Sequence, residues 1–257
     1  MSPSGARGLG HVFQDADVVR NYRYRQPYPP EIFDILQGLL VEPRTVLDAG
    51  SGTGALTIGL ARFAKRVDAV DPSAAMLREA RRMPGGDSVR IRWTLGTAER
   101  APLDPPYGLV TAGASIHWMD PDIVMPRFRE ALAPGGRLAL VNSESIYAQQ
   151  EWRGELISLI QAFSSISHHL EFVDLVRSLE AAGHFVREGE RTATPVPYEQ
   201  SIDDYMAMLA STSSLSRTTL GDRADDFERG TRAIFARHAL TRVRADLVAE
   251  VVWGRPQ

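Results

Sequence analysis

The chain has 257 residues, 44% apolar and 24% charged, so it can bury a sizeable core without metal or disulfide staples. Its net charge of −3 argues against a general nucleic-acid surface, and the absence of cysteine excludes disulfides, thiolate metal ligands and cysteine nucleophiles. No apolar run reaches the length of a membrane span. The opening "MSPSGARGLG" lacks the apolar stretch of a secretory signal. It reads as a flexible tail on a protein expected in the cytoplasm, with no membrane partner.

Tyr22, Tyr24, Arg25 and Tyr28 form an aromatic and basic cluster before the first helix. That helix is predicted over "PEIFDILQGLL", whose apolar residues recur at helical spacing between two prolines and Pro43. "RTVLDA" follows as a strand, then the glycine loop "GSGTG", then a helix over "ALTIGLARFAK". "RVDAVD" is a second strand and "PSAAMLREARRM" a second helix of the alternating set. "VRIRWTLG", "YGLVTAGA" and "GGRLALVNS" are further strands, with a helix over "DIVMPRFREAL" before the last. Strand–helix alternation of this kind predicts a doubly wound α/β fold, with a mostly parallel sheet and helices on both faces.

After residue 145 the pattern changes. "EWRGELISLIQAFSSI" and "LEFVDLVRSLEAAG" read as amphipathic helices, an inserted helical cap over residues 146–182. Its apolar stripe of Leu156, Leu159, Ile160 and Phe163 reads as core. "HFVREGERTATPVPY" looks extended, "SIDDYMAMLAS" and "RADDFERGTRAIFARHAL" helical, and "DLVAEVVWG" a last strand. The expected organisation is a tail and lid segment over 1–29, a core over 30–145, the cap, and residues 183–257 completing the same domain. The adjacent His168 and His169 read as a polar loop, because neighbouring side chains diverge; no metal site is expected.

In a parallel sheet, ligands bind beyond the carboxyl ends of the strands. Four groups of residues fall there: Asp48 to Gly54, Asp71, Gly96 to Glu99, and Ala114 to Trp118. Read loosely, Gly50, Gly52 and Ala55 fit a dinucleotide loop. A pyrophosphate would meet the charge of Asp48, whereas a ligand with ammonium and sulfonium groups suits it. S-adenosylmethionine is such a ligand. Asp71 can accept from ribose hydroxyls, as it could in either kind of site. The backbone near Ala98 and the Glu99 carboxylate can read adenine.

The ordered segments "VLDAGSGTG", "VDAVDPSAAML", "GTAER", "GASIHWMD" and "LAPGGRLALV" resemble a class I S-adenosylmethionine-dependent methyltransferase. The likeness is to the small-molecule group that includes ubiquinone/menaquinone-biosynthesis-like and trans-aconitate-like enzymes. It covers roughly residues 20–145. It implies a Rossmann-like seven-stranded sheet, S-adenosylmethionine as cofactor and S-adenosylhomocysteine as product. Asp48, Gly50, Ser51, Gly52 and Gly54 would hold the methionine portion. Asp71 would bind ribose with Pro72 and Met76 nearby. Thr97, Ala98 and Glu99 would surround adenine, and Ala114 would lie near the transferring methyl. "YRYRQPYP" resembles a lid, with Tyr22 and Arg25 over the cofactor and Tyr28 lining the acceptor pocket with Ser115 and Trp118. His117 is the candidate general base. One departure is Gly108, where this group usually carries an acidic residue.

The expected reaction is in-line methyl transfer to a small organic acceptor through O, N or C, by a monomer or homodimer. The alternative is a cofactor-binding protein of the same fold that catalyses another reaction, such as a cyclisation, or none. An NAD-dependent oxidoreductase is disfavoured by Asp48 and "GTAER".

Overall fold

A computed structural model describes residues 13–147, 151–164 and 171–257. The opening tail and the His168–His169 pair fall outside the described residues. The described residues divide into two compact units, one of residues 28–144, 171–194 and 248–257, the other of residues 13–27, 145–147, 151–164 and 195–247.

The larger unit carries the strand–helix alternation. Its strands are β1 (Thr45–Ala49), β2 (Arg66–Asp71), β3 (Ile91–Leu95), β4 (Tyr107–Gly113) and β5 (Leu132–Ile146), then β6 (Phe185–Thr192) and β8 (Arg242–Pro256), whose second half lies here. The order across the sheet is β3-β2-β1-β4-β5-β8-β6. β1 pairs in parallel with β2 and β4, β2 with β3, and β4 with β5, while β6 runs antiparallel to β8.

Successive strand residues face opposite sides of a sheet. Val46 and Leu109 therefore join one core, packed by Ile32, Ile35 and Leu36 of helix α2 (Glu31–Leu39) and by Leu56 and Leu60 of α3 (Ala55–Leu60). Leu47 and Val110 join the other, packed by Val124, Met125 and Phe128 of α5 (Pro121–Ala131) and by Val176 and Leu179 of α7 (Phe172–Ala181). Helix α4 (Ala74–Ala80) starts at Ser73, whose hydroxyl accepts from the Met76 amide. Helix α3 is shorter than its apolar pattern predicts. Its last turn tightens, with Arg62 and Phe63 amides donating to Gly59 and Leu60 carbonyls, before the chain enters β2 at Arg66.

Among the described residues the sheet has eight strands where seven are expected, because the extended stretch 184–198 is two strands and not one. The break falls at Ala193–Thr194–Pro195, where proline removes a ladder donor. Gly108 also has a structural reason. A Cβ there would lie 2.0 Å from the Val41 carbonyl oxygen, so the side chain usual at this position has no room.

The smaller unit is built on α1 (Ala16–Asn21), α6 (Glu151–Phe163), α8 (Ile202–Ala210), α9 (Arg217–Leu220) and α10 (Ala224–Arg237). β7 (Val196–Ser201) pairs antiparallel with the first half of β8, from Leu247 to Arg242. Trp152, Leu156, Tyr205, Phe227, Ile234 and Phe235 form its core, with Leu159, Ile160 and Phe163 packed against them. The Trp152 ring meets Tyr147, Tyr205 and Phe235 edge-on, at centroid distances of 5.8, 6.2 and 5.6 Å. The α6 stripe is thus core, as its spacing predicts. The stretch expected as one cap contributes α6 to this unit and α7 to the larger one. Among the described residues, no helix is long and apolar enough to cross a membrane.

Candidate active site

β1 ends at Ala49, and the loop that follows needs its glycines. Gly50, Gly52 and Gly54 have φ of 73°, 54° and 85°, a region that other residues enter at a cost. Space is also short: a Cβ on Gly50 would lie 2.5 Å from the Ser115 Cβ, and one on Gly54 2.6 Å from the Trp93 ring. The Gly50 and Ser51 amides donate to the Val70 carbonyl at 2.8 and 3.0 Å, which fixes the loop to the end of β2. The Gly52 amide donates to Asp71 Oδ2 at 2.8 Å and the Gly54 amide to the Ser51 carbonyl at 2.9 Å.

These four donors are already committed, three of them to the end of β2 and one within the loop, which bears on the ligand. A pyrophosphate cradle needs free backbone N–H groups aimed at the anion. Here those of Gly50, Ser51, Gly52 and Gly54 are already used. The Ser51 hydroxyl, in contrast, is buried with no hydrogen-bond partner. A buried, unsatisfied polar atom costs free energy unless a ligand or water completes it. The loop therefore fits the polar methionine end of S-adenosylmethionine better than a pyrophosphate.

Two carboxylates stand at this loop. Asp48 is 1% exposed, and its oxygens accept from the Thr57 hydroxyl at 2.5 Å and the Thr111 hydroxyl at 2.8 Å. Burial is the main cause that pushes its carboxyl up to about 6; the two threonine hydroxyls oppose this and Asp71 adds to it. Asp71 closes β2. It accepts from the Ser73 amide on Oδ1 and from Gly52 on Oδ2, and burial raises it against those bonds. Each carboxylate oxygen has a second lone pair, so Asp71 can also accept from a ligand hydroxyl. Met76 is buried near the start of α4 and Pro72 is exposed.

On the third rim, Thr97 is exposed, Ala98 buried and Glu99 half-buried. Glu99 Oε1 accepts from the Asp120 amide at 3.0 Å, which ties this turn to the start of α5. On the fourth, Ala114 takes φ of 47° and donates its amide to Val141. Ser115 is buried, and its hydroxyl donates to the Ala49 carbonyl at 2.7 Å. That bond links the β4 turn to the β1 loop and makes Ser115 a brace beneath Gly50. His117 and Trp118 are half-buried in a 3-10 turn, with ring centroids 4.8 Å apart. Tyr28 reaches the end of β4: a Cβ on Gly113 would lie 2.8 Å from its hydroxyl.

The four rim groups and Tyr28 are thus all in the larger unit. Tyr22 and Arg25 are in the smaller one. There Arg25 Nε donates to the Ser211 hydroxyl at 2.7 Å, Nη2 donates to the Ser211 carbonyl at 3.1 Å, and its guanidinium lies 4.8 Å from the Tyr22 ring centre. Sequence reasoning missed Thr57 and Thr111. Thr111 did leave a signal, a threonine set in the apolar run 109–112 of β4. Among the described residues no cluster of three or more His, Asp or Glu side chains could hold a metal.

Known proteins resemble this chain in domain and in fold. Residues 46–136 match the methyltransferase domain family. A methyltransferase of Mycobacterium tuberculosis named as uncharacterised is 42% identical over 120 residues, 46% of this chain and 47% of that protein. The match therefore spans about half the length of that relative. One from Schizosaccharomyces pombe, likewise named, is 24% identical over 229 residues, 84% of each chain. Among solved structures, a candidate type II methyltransferase of Anaeromyxobacter dehalogenans superposes with a TM-score of 0.59 at 22% identity, covering 91% of this chain and 99% of that one. A methyltransferase of Thiobacillus denitrificans, solved with S-adenosylhomocysteine, gives 0.50 at 15% identity, covering 94% and 97%. Residues 46–136 are thus similar to a methyltransferase domain, and the fold is the Rossmann-like one of the solved structures on which the chain superposes.

Proposed function

We propose that the protein transfers a methyl group from S-adenosylmethionine to a small organic acceptor. The observation that carries this reading is the glycine loop: the amides of Gly50, Ser51, Gly52 and Gly54 are already bonded within the protein, and the buried Ser51 hydroxyl has no partner. Ser51 and the backbone of Gly50, Gly52 and Gly54 hold the methionine portion, with Asp48 beneath them. Asp71 accepts from ribose, with Pro72 and Met76 alongside. Thr97, Ala98 and Glu99 surround adenine. Ala114 lies toward the methyl.

The cofactor supplies an already activated methyl on sulfur, so the protein's task is to orient and to exclude water. Tyr28, Trp118 and the turn braced by Ser115 shape the acceptor's surroundings. His117 takes a proton from the acceptor when that acceptor is a neutral hydroxyl or a carbon acid. An amine with a free lone pair needs no such step.

Calorimetry with S-adenosylmethionine and with NAD tests the first half. The methyl donor should bind and NAD should not; the reverse would refute the reading. Release of S-adenosylhomocysteine over a panel of hydroxyl, amine and carbon-acid acceptors tests the second half. A protein that retains the cofactor and never turns it over with any of them would favour a non-methylating role.

A further inference from the structure

We propose that Thr57 and Thr111 are positioning residues that keep Asp48 ionised beneath the glycine loop, and that this buried charge makes the site favour the sulfonium cofactor over its thioether product. The inference rests on the methyl-donor reading above. It concerns residues that touch Asp48 and not the ligand.

Charge balance is the starting point. Asp48 and Asp71 are 1% and 7% exposed, and neither has an ion pair among the described residues. Asp68, the other buried aspartate, is paired with Arg66 at 3.1 Å. Buried carboxylates are ordinarily paired, because a low-dielectric interior penalises an isolated charge. Two unpaired carboxylates flanking one loop leave a site short of positive charge. S-adenosylmethionine and S-adenosylhomocysteine differ by one methyl and one positive charge, so a fixed negative charge separates them.

Asp48 contributes that charge only while it is ionised. Hydrogen bonds to the charged form are what hold a buried carboxyl ionised. Thr57 supplies its hydroxyl from α3 and also its backbone N–H; Thr111 supplies its hydroxyl from β4. Both threonines are fully buried. The charged group bearing on Asp48 is Asp71, on β2, which opposes ionisation; from α3 and β4 it faces the uncharged hydroxyls. Without either hydroxyl the carboxyl takes up a proton at higher pH and the preference for the sulfonium declines.

The test is calorimetric binding of S-adenosylmethionine and S-adenosylhomocysteine between pH 5.5 and 8.5. The proteins compared are the wild type, Thr57→Val, Thr111→Val and the matching Thr→Ser variants. At pH 7.5 the ratio of the two affinities should fall about three- to tenfold in the valine variants. Serine, which keeps the hydroxyl, should restore it. In the wild type the ratio should fall only as pH drops through about 6. Asp48→Asn decides the matter should the valine variants not fold: it should lower the ratio and remove its pH dependence. Equal weakening of both ligands, or a ratio that ignores pH in the wild type, would overturn the proposal and leave the methyl-donor reading standing. Failure of the wild type to bind S-adenosylmethionine would sink that reading itself.

Discussion

The two units reach order by different means. In the larger one, position is set by backbone. Strand register aligns the ends of β1, β2, β3 and β4, and the loop glycines adopt a conformation that the neighbouring turn then locks. In the smaller one, position is set by side-chain packing of aromatic rings, Trp152, Tyr205 and Phe235 among them. The first strategy leaves polar groups such as the Ser51 hydroxyl and Asp71 placed with little freedom. The second yields a core whose geometry depends on ring volumes. Precise polar placement is what a cofactor site requires, and the backbone-built unit is where the four rim groups gather.

The comparison can be broken by substitution. Trp152→Ala should have the largest effect, destabilising the smaller unit by about 3–5 kcal/mol in denaturant titration through a large cavity. Binding of S-adenosylmethionine should change far less than stability; a parallel collapse would show that the site depends on the aromatic core. Gly50→Ala should cost roughly 2–4 kcal/mol, from a strained φ and the clash with Ser115. It should also abolish cofactor binding, and normal affinity would dissociate the loop from the site. Asp71→Ala should weaken the cofactor by about 1–3 kcal/mol in calorimetry through lost charged hydrogen bonds. Unchanged affinity would remove Asp71 from the ribose contact. His117→Ala should slow turnover without changing cofactor affinity if the acceptor is a hydroxyl or carbon acid; near-normal turnover on such an acceptor would remove it from the mechanism.

The smallest signal is the pH dependence of stability. Asp48 sits near 6 in the folded protein and near 3.8 when unfolded, so the folded state binds the proton more tightly. Stability from this group therefore falls as pH rises from about 3.8 to about 6, and is constant outside that window. The slope cannot exceed about 1.4 kcal/mol per pH unit, the value for one proton. Asp71 shifts in the same direction and for the same cause. Unfolding midpoints stepped across this range should show the slope in the wild type and a shallower one in Asp48→Asn.

Much of the larger unit was legible. Alternating strands and helices, a Ser73 cap and a glycine loop after β1 are local features, and they fix the sheet and the rim where ligands bind. The segment expected as a lid was less so: "YRYRQPYP" reads as one segment, yet Tyr22 and Arg25 lie in the smaller unit and Tyr28 in the larger. The break between β6 and β7 was hidden because both halves are extended. Ser115 read as a pocket residue by its place on the rim, whereas its hydroxyl is committed to Ala49.

By itself the sequence determined the architecture and the four rim groups, because periodicity and turn chemistry act over a few residues. It also determined that Asp48 is present at the loop. Only the tertiary structure decided what Asp48 does there. Its partners, Thr57 and Thr111, come from a different helix and a different strand, and no local pattern can pair groups that meet only after the sheet has formed. The same holds for Gly108, whose need for glycine is the backbone of Val41 lying against it.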